Sequence, residues 1–271
     1  MLRPLALDVA AFLLPGVLCA GLFLLGTRFR RWPRAVRGAA LVLALAALGL
    51  GVASAYRLLP MRFERVGFQL GGLTCLLCWV ACFLLGCVWS VPGRSMSSSF
   101  IASIGIVALL LAEIESSGRL WWRFAEPKAW TRFPDSSGLL QQTSATTCSA
   151  TAATMLLALA GIPASEGEMA YLSGTSLLGA DAQGMSLALD QKAASHGWRV
   201  EAGPTTYDEC VHRGGPFLAH VKGRTTGHAV VVYAAVPEGV IIFDPAVGRA
   251  HAEKREDFEP DWDGTAIRLV R

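Results

Sequence analysis

Four apolar runs, residues 5–26, 38–59, 67–92 and 97–114, fill most of the first 114 residues of this 271-residue chain. Each approaches the length that carries a helix across a ~30 Å hydrocarbon core at ~1.5 Å per residue. The composition agrees, with 53% of residues hydrophobic, 17% charged and a mean hydropathy of +0.43. An ordinary soluble domain carries about 25% charge. Disorder is excluded because there is ample apolar surface to bury. Residues 1–120 hold 11 Lys/Arg against 4 Asp/Glu, whereas residues 121–271 hold 13 against 17. That asymmetry points to a membrane domain over residues 1–115 and a second domain in water over 137–271.

The first run is long and ends in RFRRWPRAVR, with no convincing small-residue cleavage site. It therefore reads as a span with a stop-transfer flank, not as a cleaved signal. Arg28, Arg30, Arg31, Arg34 and Arg37 crowd the first short loop, which the positive-inside rule assigns to the cytoplasm. Four spans would then put the peptide chain beyond residue 115 on the extracytoplasmic side. The fourth run, flanked by Ser97–Ser99 and by Glu113 and Glu115, decides this, since without it the second half lies inside. Cys75, Cys78, Cys82 and Cys87 sit in an apolar helix with no histidine or carboxylate nearby, and read as small hydrophobes, not as metal ligands. Asp8 lies near enough to the end of its run to reach the interface. Residues 116–136 form a junction in which Trp121, Trp122 and Trp130 mix with Arg123, Lys128 and Arg132. This composition suits the headgroup layer and equally a plain linker with buried aromatics.

From residue 137 the pattern changes. CSATAATMLLALAG (148–161) reads as a buried helix, SEGEMAYL (165–172) opens with a Ser165–Glu168 capping box, and GMSLALDQKAASHG (184–197) reads as a third helix. Beyond Trp198, five segments read as strands: WRVEA, PFLAHVK, HAVVVYAA, VIIFD and TAIRLV. Helices followed by strands predict a segregated α+β fold with an antiparallel sheet. The acidic stretch 253–263 lacks the alternating ligands and central glycine of a calcium loop, and reads as a solvated turn. No HExxH or paired CxxC occurs in this half, so no metal or other cofactor is expected. A net acidic domain with no basic stripe argues against nucleic acid.

The reactive residues follow from position. Cys148 opens the buried helix, where free N–H groups and the helix dipole favour a thiolate. Gln142 stands six residues earlier, placed to aim its amide at an oxyanion. His228 heads one strand, Asp244 ends the next, and a turn at Pro237–Gly239 would set the two side by side. A thiol, a base and an acceptor orienting that base form a nucleophilic constellation. His220, in the neighbouring strand, competes for the base role, but the spacing to Asp244–Pro245 favours His228. His196, His212 and His251 read as solvated residues of helix ends or loops. Cys210 reads as a small buried residue, with a disulfide to Cys148 as the alternative.

QTSATTCSATAATMLLALAGI, SGTSLLG, PFLAHVKGRTTGHAVVVYA and IIFDPAVG together resemble the papain-like double-glycine leader peptidases, family thirty-nine of the cysteine peptidases. The resemblance covers residues 138–271. It implies Cys148 as nucleophile, His228 as general base and acid, Asp244 as orienting acceptor and Gln142 as oxyanion donor. The implied reaction is peptide-bond hydrolysis through a thioester, after small Gly-Gly-type residues of a leader or precursor peptide. The resemblance implies a peptide or protein substrate and a separate exporter or ATPase subunit as partners, and the apolar runs add the lipid bilayer. Two departures stand out. Ser149 replaces the glycine that usually follows the nucleophile, and no GxxxxGK[ST] phosphate loop is present. The serine leaves open a module that binds leaders without cutting them. An extracytoplasmic site leaves open an amidase or transpeptidase acting on cell-wall peptides.

Overall fold

A computed structural model describes residues 4–55, 75–89, 98–125, 127–222 and 227–271. They divide into two compact units, Met1–Leu120 and Trp121–Arg271.

In the first unit, helices Leu5–Arg28, Arg34–Ala55 and Cys75–Trp89 are followed by Ser98–Phe124, within which the division falls. Among the described residues one helical stretch, Leu5–Arg31, is long and apolar enough to cross a membrane, with a mean hydropathy of 2.3. The other three helices overlap the remaining apolar runs, whose residues 56–59, 67–74, 90–92 and 97 lie outside the described part. Helices Leu5–Arg28 and Cys75–Trp89 meet backbone to backbone. A side chain at Gly26 would collide with the Phe83 carbonyl, and one at Gly86 with that of Phe23. Phe23 packs edge-on to Trp89 at 6.1 Å and Phe29 to Phe83 at 5.7 Å. The absence of a side chain at both glycines permits this close approach. Asp8, in the first turn of its helix, is buried.

The second unit is built on a six-stranded antiparallel sheet. Its strands are β1 (Arg199–Pro204), β2 (Phe217–Lys222), β3 (Gly227–Val236), β4 (Gly239–Asp244), β5 (Arg249–Lys254) and β6 (Trp262–Val270). Their order is β1-β6-β2-β3-β4-β5. Alternation along β3 serves two cores. Ala229 and Val231 face the helices Cys148–Leu159, Glu166–Ser173 and Ala182–Ala193. Val230 and Val232 face a second cluster with Tyr207 and Cys210, from the helix Tyr207–Arg213, and Phe258 from the short helix Arg255–Phe258. The period of two puts successive side chains on opposite faces, and a run of valines fits a strand covered on both. The α+β architecture expected from the sequence is therefore present, with helices preceding the sheet.

Three details differ from the expectation. The Ser165 hydroxyl accepts from the Glu168 N–H, but the Glu168 carboxylate pairs with Lys192 at 3.0 Å, so the expected capping box is one-sided. The reciprocal box is formed by Thr206 and Glu209. The segment around His251 is not a loop but β5, whose residues pair with β4 as Asp244↔Arg249 through Gly239↔Lys254. The supposed turn over 253–263 contains the helix Arg255–Phe258, which buries Phe258.

The junction residues belong partly to this unit. Trp122 is buried and donates its indole N–H to the Thr175 carbonyl at 2.8 Å. The Trp130 indole donates to the Trp122 carbonyl at 3.2 Å, and its ring lies 6.1 Å from that of Tyr171. Trp121 and Phe124 remain exposed. Residues 121–136, read from the sequence as linker, thus pack within the second unit, because the two indoles find carbonyl partners there.

Candidate active site

The helix Cys148–Leu159 is buried from Ser149 to Leu157, with Ala150, Ala152, Ala153, Met155, Leu156 and Leu157 in the core. Small alanines let it sit between the sheet and the two following helices, and its first residue emerges at the end of that core. Cys148 is a free thiol there, half-buried. The His228 ring and the Ala229 backbone interact with it and favour its ionised form. His228 comes from the start of β3, and its Nε2 lies 2.7 Å from Asp244 Oδ1 at the end of β4. With Nε2 turned to the carboxylate, Nδ1 is the ring nitrogen left for the thiol.

Asp244 is aimed by its own turn. Its Oδ1 also accepts from the Ala246 N–H at 2.8 Å, and its carbonyl accepts from the Gly248 N–H at 2.8 Å. Gly248 has φ +63°, and a Cβ there would lie 2.7 Å from the Gln141 Cβ. Only glycine meets both demands at low cost. The close approach docks residues 141–142 on the Asp-Pro turn, where the Gln142 N–H donates to the Pro245 carbonyl at 2.8 Å. The Gln142 side chain donates from Nε2 to the Ser144 carbonyl at 2.8 Å, and its buried Oε1 has no hydrogen-bond partner among the described residues.

The electrostatics run in one direction. Burial alone would raise the Cys148 thiol, but the hydrogen bonds from His228 and the Ala229 backbone, with the His228 charge and the Ser149 hydroxyl, hold it below its ordinary value. For His228, burial opposes the charged ring. The Asp244 and Cys148 hydrogen bonds and their charges outweigh it and push the imidazole up to about 9. Asp244 is kept low against its own burial, chiefly by the His228 hydrogen bond and the Ala246 N–H. Both shifts favour the thiolate–imidazolium pair over the neutral pair.

Ser149, the departure from the family glycine, is buried and directs its hydroxyl to the Ala180 carbonyl at 3.3 Å. That bond ties the helix Cys148–Leu159 to Ala180, just after the Ser176–Gly179 turn, whose Leu177 and Leu178 are exposed. His220 stands on β2 opposite Ala229. His228 and not His220 is the histidine bonded to Asp244. Cys210 is a free thiol in the second core, so the alternative disulfide to Cys148 is absent.

Two residues at this site escaped the sequence reading. Glu166 is wholly buried, and its Oε1 accepts from the Thr143 N–H at 2.8 Å and the Thr143 hydroxyl at 2.9 Å. Arg132 donates to the Gln141 carbonyl at 2.9 Å. A glutamate in a helix's first turn is ordinary, so sequence alone carried little signal for the first. The second sat in what read as linker.

Comparison with known proteins bears on the same region. A model of the Peptidase C39 family matches residues 136–271. An uncharacterized protein of Methanothermobacter marburgensis is 28% identical over 134 residues, 49% of this chain and 88% of its own length. The peptidase domain of Streptococcus ComA, a bi-functional ABC transporter involved in quorum sensing, is 26% identical. It covers 49% of this chain and 96% of that domain with a TM-score of 0.43. A double glycine motif protease from an AMS/PCAT transporter, solved with its leader peptide, is 21% identical. It covers 48% of this chain and 89% of that one with a TM-score of 0.40.

Proposed function

We propose, from the premise that this chain belongs to the Peptidase C39 family of cysteine peptidases, that it cuts a leader or precursor peptide after small, Gly-Gly-type residues. The observation that carries the reading is the chain of contacts from the Cys148 thiol through His228 to Asp244.

In the proposed reaction the Cys148 thiolate attacks the scissile carbonyl carbon, and the carbonyl π pair moves onto oxygen. The oxyanion meets the free N–H groups at the helix start and the Gln142 amide. Gln142 Nε2 spends one proton on Ser144 and keeps a second to donate. Collapse expels the amine, which takes a proton from the His228 imidazolium, and leaves a Cys148 thioester. Neutral His228 then takes a proton from water as the hydroxyl attacks the thioester. The acid product leaves, and thiolate and imidazolium are restored. Asp244 holds the ring's tautomer and direction throughout.

The setting is part of the proposal. The first 115 residues form a four-span anchor, with the arginine-rich loop at residues 28–37 in the cytoplasm and the peptidase domain on the extracytoplasmic side. A separate exporter or ATPase subunit supplies transport. The test is labelling of the purified full chain with a thiol-directed probe, with Cys148→Ala as control, and mass spectrometry of a Gly-Gly peptide incubated with each. Labelling and cleavage that both vanish in the variant support the reading. Cleavage that survives in Cys148→Ala refutes it. Tight peptide binding with no turnover points instead to the non-cutting module that Ser149 leaves open. A membrane-impermeant maleimide applied to intact cells reports the side on which Cys148 lies.

A further inference from the structure

The segment carrying Gln142 is held at each of its three residues. The Gln141 carbonyl accepts from the Arg132 guanidinium at 2.9 Å, the Gln142 N–H donates to Pro245, and Thr143 donates twice to Glu166. The two outer holds are themselves linked, because the Glu166 N–H donates to the Arg132 carbonyl at 3.1 Å. Glu166 is fully buried, and its second oxygen, Oε2, is buried with no hydrogen-bond partner among the described residues. A carboxylate withdrawn so far from water is costly to keep. Its two bonds go to Thr143, the residue beside Gln142.

We infer that Glu166 and Arg132 are positioning residues that fix the Gln142 backbone so that its amide reaches the developing oxyanion. This deepens the proposed function and rests on Gln142 as oxyanion donor. Arg132 precedes the family-matched region, which begins at residue 136. The segment ahead of the peptidase domain is therefore assigned a part in the reaction. The effect is on transition-state geometry and not on the nucleophile. A donor misplaced by a fraction of an ångström loses much of its value, and full removal of one such donor costs ~10²–10³ in kcat.

The test uses the purified full chain and a Gly-Gly peptide. Glu166→Ala is expected to lower kcat ~10-fold or more with KM nearly unchanged. Glu166→Gln, whose Oε1 can accept both Thr143 bonds, is expected to restore most of it. Arg132→Ala changes an exposed side chain and is expected to cost several-fold, keeping the test open should Glu166→Ala fail to fold. Alkylation of Cys148 by iodoacetamide, which needs no oxyanion site, should keep its rate and pH profile in every variant. In a Gln142→Ala background the same changes should cost less than ~2-fold. Losses that persist undiminished in that background, or alkylation that falls in step with kcat, overturn the inference. If Gln142→Ala alone leaves kcat intact, the oxyanion reading itself fails and the brace falls with it.

Discussion

Asp244→Asn isolates charge from geometry. Asp244 Oδ1 accepts from both His228 Nε2 and the Ala246 N–H, and an asparagine Oδ1 can accept both bonds in the same place. What disappears is the negative charge 2.7 Å from the ring. The ring stands at about 9 against an ordinary 6.5, and each pH unit of that rise is worth about 1.4 kcal/mol. The charged ring is thus favoured by about 3 kcal/mol, shared between Asp244 and Cys148, each of which adds a hydrogen bond and a charge. Losing the Asp244 charge should bring the ring down by about one pH unit. The imidazolium that protonates the leaving amine is then lost earlier as pH rises. The kcat/KM profile for a Gly-Gly peptide, measured from pH 5 to 10, should keep its acid limb and shift its alkaline limb from near 9 toward 8. Because thiol and imidazole titrate together, the limbs belong to the pair, and the comparison between variant and wild type is the measurement. Activity near pH 9 should fall ~10-fold and near pH 6.5 only a few-fold. An alkaline limb that superimposes on the wild type would refute Asp244 as the group that charges the ring.

Other outcomes follow from the same geometry. His228 has its affinity for protons raised on folding, so its stabilisation is fully present below about 6.5 and drains away as pH climbs through about 9. Thermal unfolding of the full chain should show the second unit losing Tm over that window, and His228→Ala should flatten the loss. Gly248→Ala forces a φ of +63° on a side chain whose Cβ meets Gln141 at 2.7 Å. Strain and crowding together should cost about 2–4 kcal/mol, read from the urea midpoint, and a neutral substitution would mean the Asp-Pro turn does not dock on Gln141. Ser149→Gly removes a hydroxyl that contacts both Ala180 and the thiol. Stability should drop by ~1 kcal/mol and the acid limb of Cys148 alkylation should move up, whereas an unmoved limb would show that Ser149 does nothing for the thiolate.

The sequence made some of this plain and hid the rest for physical reasons. β3 and β4 were legible because VVVYA and VIIF are the β-branched and aromatic runs that a sheet covered on both faces demands. The pairing of His228 with Asp244 then followed from one short turn. β5 was not legible, because RAHAEK has none of that chemistry. Its strand exists only because β4 offers an edge to pair with, and its exposed charged side chains suit the sheet's border. Gln142 stood out in the sequence by its spacing to Cys148, but its three-sided bracing did not. Arg132 and Glu166 are distant in sequence and carry no motif, and only the fold brings a guanidinium, a carboxylate and the Asp-Pro turn onto three successive residues. The indoles of Trp122 and Trp130 could equally have faced lipid, since composition says nothing of where a carbonyl partner waits.

The Asp244 turn has a bearing on control. The carboxylate is oriented by one backbone amide of its own loop, that of Ala246, while the Gly248 amide fixes the residue's carbonyl, so the ring is aimed by the fold itself. A protease cocked in that way gains nothing from an activator that assembles its machinery. The burden of selectivity then falls on the surfaces around Cys148.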